Sequence, residues 1–312
     1  MYAMKHLTGF DQKATKKDFL CEVFVWKTFN KKSQEKVRLH ISPLLCTFEK
    51  GNNYYLLFPW ATGDLWRLFE TQDSSDPQFS ESWIAEQCWK IAEALSVIHQ
   101  DQEDRNPSNP DDYDEKQLYG RHGDIKPHNI LWFGDYIGCK GAGCLVVADF
   151  GIAKCHKSRT KSMSMSANAR YSPTYKAPEF EATLGRIGRK ADIWGLGCTF
   201  LELITWYLRG WHAVSESFPD IREEIRDEQK GIVSQDTYFS IVNGSPVVKQ
   251  GVLDWIAQLR EEKGCTPFFS KFLNLIERKM LLVTPSDRAT ADDVSNKMRE
   301  FHHMILGPGH TE

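Results

Sequence analysis

The 312-residue sequence predicts an α+β protein of two unequal lobes. Strand-like stretches cluster before about residue 60 and helical patterns dominate afterwards, while Trp194 to Tyr207 is apolar enough to be a buried helix. Tyr2 to Leu7 reads as a short strand. Phe19, Val23, Trp26 and Phe29 recur at helical spacing, so 15–30 is an amphipathic helix. Residues 43–49 and 53–60 are strands around a turn at Gly51-Asn52, because Tyr54 to Phe58 is a compact aromatic and aliphatic run. Thr62-Gly63-Asp64 breaks that run and opens a helix. A long helix follows over about 80–99, capped by Ser80 and closed near His99. Residues 101–116 hold seven acids, two bases and two prolines, the composition of a solvated loop or disordered insert, most plainly a spacer. Strands at 129–133 and 144–148 flank a Gly-rich turn at 138–143. After a hydroxyl-rich loop at 155–176 the remainder reads as helical.

Composition bounds the function. With 41% hydrophobic and 26% charged residues the chain is ordinary globular protein, one large domain or two modest ones. A net charge of −3 argues against a general nucleic-acid binder. No apolar run reaches the roughly 18 residues of a membrane span, and no signal-peptide core opens the chain. Eight cysteines are too sparse for a disulfide scaffold and read as reduced thiols of an intracellular protein, cytoplasmic or nuclear. The sequence carries no signal of oligomeric state.

The residues with chemistry in them are His122-Gly123-Asp124-Ile125-Lys126-Pro127-His128-Asn129, followed after a hairpin by Asp149-Phe150-Gly151. Phosphoryl transfer needs a carboxylate to orient and deprotonate a hydroxyl, and oxygen ligands for Mg²⁺. In order and spacing these motifs resemble the eukaryotic protein kinases. The resemblance extends to Ala177-Pro178-Glu179, to Asp192-Ile193-Trp194-Gly195-Leu196-Gly197, and to Arg288 in Pro285-Ser286-Asp287-Arg288. Upstream, Tyr2-Ala3-Met4-Lys5 looks like the strand bearing the phosphate-binding lysine.

That resemblance implies an ATP- and Mg²⁺-dependent Ser/Thr kinase acting on protein substrates. Asp124 would be the catalytic base and Lys126 would steady the transferring group. Asn129 and Asp149 would hold Mg²⁺, and Lys5 would bind the α- and β-phosphates, positioned by Glu22. Phe58, Pro59 and Trp60 would line the adenine pocket, with Phe58 at its back. Arg288 would pair with Glu179, and Ser172 would bond the catalytic loop. Phe150, Trp26 and His122 would form an apolar column between the lobes, although for Trp26 a plain core role fits equally well. The implied domain is bilobal over 1–306. It has a partial small lobe at 1–60, running from the lysine strand to the hinge, and a large lobe at 61–306 that carries the acidic insert. A short tail at 307–312 follows.

Departures qualify the match. Gly123 replaces the arginine that commonly docks an activation-loop phosphate, so activation by that route is not expected. The basic, hydroxyl-rich loop at 155–176 reads equally as a plain mobile polar loop or as a segment where added phosphates would pair with its own bases. His128 beside Asn129 reads as structural, since Mg²⁺ prefers oxygen. No Gly-x-Gly-x-x-Gly occurs, and Lys5 has only four residues ahead of it, so the small lobe is expected to lack two strands. The Gly138–Gly143 cluster reads as a tight turn, and Cys139 and Cys144 beside it lack a second pair for zinc. A non-catalytic kinase-like scaffold is the main competing function. A small-molecule phosphotransferase is the other, disfavoured by the presence of Ala177-Pro178-Glu179.

Overall fold

The structure is a computed structural model. It describes residues 1–7, 40–51, 53–99, 121–135, 141–149, 173–181, 187–228 and 231–307, with 16, 19, 20, 23 and 26 of a helix between them. The acidic insert at 101–116 lies outside the described residues, as do most of the hydroxyl-rich loop and the last five residues.

The small lobe is a three-stranded antiparallel sheet with one helix against it. Its elements are β1 (Tyr2–Leu7), the helix seen at residues 16–26 (α1), β2 (Cys46–Lys50) and β3 (Asn53–Pro59), with strand order β1-β3-β2. The two-residue period of β1 turns Ala3, Lys5 and Leu7 to one face and exposes Tyr2, Met4 and His6 on the other. Helical spacing puts Phe19 on Tyr54 and Trp26 on Phe58, with ring centroids 4.8 and 5.3 Å apart. Strand β2 starts at Cys46 rather than near 43, since Pro43 has no N–H for the ladder and the backbone at 40–42 bonds to Val147 instead. Ser42 N–H donates to the Val147 carbonyl (2.9 Å) and Val147 N–H to that of His40 (2.8 Å). This stitch joins the small lobe to the large one.

The large lobe opens with β4 (Gly63–Asp64) and α2 (Leu65–Thr71), whose cap is the Asp64 carboxylate accepting Arg67 N–H at 2.7 Å. Next comes α3 (Glu81–His99), started by Ser80 as its sequence suggests and buried on most of its surface. Strands β5 (Ile130–Phe133) and β6 (Cys144–Val147) pair antiparallel, with β4 on the far edge of β5. Helix α4 (Lys190–Arg209) is buried from Ala191 to Trp206 and forms the axis of the lobe.

Beyond it the expectation of an all-helical remainder fails. Helix α5 (Phe218–Arg222) leads into two hairpins, β7 (Glu224–Glu228) with β8 (Gly231–Gln235), and β9 (Phe239–Val242) with β10 (Ser245–Val248). The second turns at Asn243-Gly244, where φ is 50° and 78°. Asn-Gly is the preferred pair for such a turn, since both positions need positive φ. Helices α6 (Gln250–Arg260), α7 (Pro267–Leu275) and α8 (Ala291–Leu306) complete the chain.

Among the described residues no helix is long and apolar enough to cross a membrane. Cys46, Cys88, Cys198 and Cys265 are free thiols, as expected, but Cys144 is disulfide-bonded. A sparse cysteine count argues against a disulfide framework and leaves a single bridge open.

Candidate active site

The catalytic loop is organised from beneath by Asp192, in the first turn of α4. Its carboxylate accepts His122 N–H and Gly123 N–H, each at 2.8 Å, and bonds His99 Nε2 at 2.9 Å. Burial pushes its pKa up. The His99 hydrogen bond and the charges of His99, His122 and Arg121 outweigh that and hold it below the usual carboxylate range. Gly123 has φ 88°, a conformation that glycine adopts without the strain a side chain would meet there. Helix and loop come close enough that a Cβ on Gly195 would sit 2.7 Å from the Ile125 carbonyl oxygen.

On this support Asp124 meets Asn129 and Lys126. Asn129 Nδ2 donates to the Asp124 carbonyl at 2.7 Å and to its carboxylate at 2.8 Å, and Lys126 Nζ lies 2.7 Å from the same carboxylate oxygen. Ala148 N–H donates to the Asn129 carbonyl at 2.9 Å, which brings Asp149, the next residue, beside Asn129. Asp149 has φ 62°, an uncommon conformation for a residue with a side chain. Its carboxylate accepts Lys5 Nζ at 2.8 Å across the lobes.

Asn129 and Asp149 carry an amide oxygen and a carboxylate, the hard-oxygen donors that suit Mg²⁺. Among the described residues no cluster of three His, Cys, Asp or Glu could hold a metal by itself. His128 is exposed and stacks on Trp66 at 5.3 Å, in keeping with a structural role.

Phe58 is partly buried against the core and opposite Ala3 in the sheet, Pro59 ends β3, and Trp60 is 57% exposed. Trp26 is buried against Phe58, and His122 is buried with its Nε2 2.9 Å from the Ala148 carbonyl oxygen. Glu22, Phe150 and Ser172 lie outside the described residues. The Glu179–Arg288 pair is fully formed, with two bonds of 2.8 and 2.7 Å in the interior. Sequence reasoning missed His99, whose role as third donor to Asp192 has no local signal. It also missed Glu202 on α4, which accepts the hydroxyls of Tyr175 (3.0 Å) and Tyr238 (2.9 Å). A cavity between Gly123–Ile125 and Tyr175–Ala177 separates Asp124 from the segment preceding Pro178.

A small sheet lobe and a helical lobe, with a carboxylate–Asn–Lys loop facing a second carboxylate and a cross-lobe lysine, make up a kinase-like catalytic domain. The sequence model of the protein kinase domain matches residues 1–298, and the chain belongs to that family. It is similar to the probable cyclin-dependent kinase 8 of Dictyostelium discoideum, 24% identical over 80% of this chain and 61% of that protein. Cyclin-dependent kinase E-1 of Arabidopsis thaliana is 26% identical over 48% of this chain and 28% of its own length. Serine/threonine-protein kinase SSN3 of Eremothecium gossypii is 22% identical over 64% and 28%. The chain covers 28–61% of the lengths of these three relatives.

Proposed function

We propose that the chain transfers the γ-phosphoryl group of ATP to Ser or Thr hydroxyls of protein substrates. The observation that carries this reading is the Asp124–Asn129–Lys126 cluster, held by Asp192 and open toward the Tyr175–Ala177 segment. Asp124 orients the acceptor hydroxyl and takes its proton as the bond to phosphorus forms. Lys126 offsets negative charge gathering on the transferred group. Asn129 and Asp149 hold Mg²⁺, which when bound neutralises the phosphates, and Lys5 contacts the α- and β-phosphates. Phe58, Pro59 and Trp60 line the adenine site, and Glu22 positions Lys5.

The test is Mg²⁺-dependent transfer of labelled γ-phosphate to a basic protein substrate, with Asp124→Asn and Asp149→Asn as controls. Transfer well above both variants is expected. Wild-type transfer no greater than theirs would sink the reading and favour a non-catalytic scaffold.

A further inference from the structure

The hairpin-bearing insert between α4 and α6 reaches into the segment that faces Asp124. Arg222, at the end of α5, is buried with its guanidinium against the rings of Phe218 (4.0 Å) and Tyr238 (4.4 Å). Its Nε donates to the Asp236 carbonyl at 3.1 Å, and Nη2 lies 3.7 Å from both Glu202 Oε1 and Asp236 Oδ2. Lys249, just before α6, donates to the Arg222 carbonyl at 2.5 Å and closes the insert on itself. Two consecutive residues of the facing segment are tied to this assembly. Thr174 Oγ1 donates to Asp236 Oδ1 at 2.6 Å, and Tyr175 shares Glu202 with Tyr238. The next two residues, Lys176 and Ala177, line the cavity beside Asp124.

Burying a guanidinium is costly unless its charge is matched, and here the matching groups are the ones that hold the segment. We propose that Arg222 and Asp236 are positioning residues for the protein substrate, holding Thr174–Ala177 against Asp124 through Thr174 and Glu202. The insert then governs how substrate is accepted, while nucleotide is bound at the other side of the catalytic loop. This rests on the kinase reading above.

Thr174→Val and Asp236→Ala cut the same hydrogen bond near the surface. Each should raise KM for a protein substrate about 2- to 12-fold, the range of one hydrogen bond of about 0.5–1.5 kcal/mol, with KM for ATP unchanged. The double variant should be no worse than Asp236→Ala alone, because that change already removes the Thr174 contact together with a partner of Arg222. Arg222→Met should have a larger effect, partly restored in Arg222→Lys. Unchanged protein KM in an active enzyme, equal rises in both KM values, or additive singles would overturn the proposal. A wild-type chain without transfer would instead overturn the kinase reading. Hydrogen exchange still tests the clamp in that event. Asp236→Ala should speed exchange over 173–181 and leave α4 protected, and unchanged exchange there would refute the contact.

Discussion

Asp192 and Glu202 lie on the same helix, are both buried, and carry opposite charge biases. Asp192 is held below the usual carboxylate range, whereas burial pushes Glu202 up to about 7. Burial acts on both in the same direction, so the donors decide the difference. Asp192 receives two backbone N–H groups fixed by the turn they belong to, together with His99. Glu202 receives two tyrosine hydroxyls, and its cation stands off at 3.7 Å with Arg222 Nη1 making no hydrogen bond. A buried carboxylate stays ionised where donors are preset and close, and drifts toward the neutral form where they are longer-armed and incomplete. The rigid anchor lies under the catalytic loop and the titratable one under the facing segment.

The strongest way to break this comparison is Asp192→Ala, which strands the buried His122 N–H, the half-buried Gly123 N–H and His99. A loss of about 3–5 kcal/mol in urea unfolding is expected, as for a broken buried pair, and phosphoryl transfer should go with it. A loss under about 1 kcal/mol would remove the distinction between the two anchors.

A second test uses pH. Over its titration range Glu202 binds a proton more tightly in the folded protein than in the unfolded chain. Its contribution to stability is therefore full below pH 4.5 and is lost as pH rises from 4.5 to about 7. Subtracting the pH–stability curve of Glu202→Gln from that of the wild type should isolate this fall; a flat difference would contradict the assignment.

His40, at the junction of the lobes, supplies a contrast of opposite sign. Burial lowers its pKa from 6.5 to about 4, opposed by its 2.5 Å hydrogen bond to the Leu145 carbonyl. Its contribution is full above pH 6.5 and is lost as pH falls toward about 4. His40→Asn, which retains a donor near Nδ1, should flatten the acid limb and leave the Glu202 window in place.

The smallest effect is expected from Tyr238→Phe. Deleting one hydroxyl donor to Glu202 should cost about 1 kcal/mol and shift the Glu202 window to still higher pH. No movement of that window would mean the tyrosine hydroxyls do not set it.

Much of the fold was legible along the chain. Period-two exposure in Tyr2–Leu7, helical spacing of Phe19, Val23 and Trp26, and the Ser80 cap are local patterns, and the structure reproduces them. The hairpin at Asn243-Gly244 was legible too, in a dipeptide whose turn preference an all-helical reading passes over. The Asp124–Asn129 contact spans five residues and is nearly local. His99 and Asp192, 93 positions apart, are not, because neither residue's neighbours indicate that α3 ends against the start of α4.

By itself, then, the sequence determined which residue types stand at the phosphoryl-transfer motifs and where most helices and strands begin, since both depend on near neighbours. Only the tertiary structure decided which carboxylates are charged and what holds the segment facing Asp124. Those properties come from donors that α3, α5 and the hairpin insert bring to α4 from distant parts of the chain, and long-range packing sets their distances.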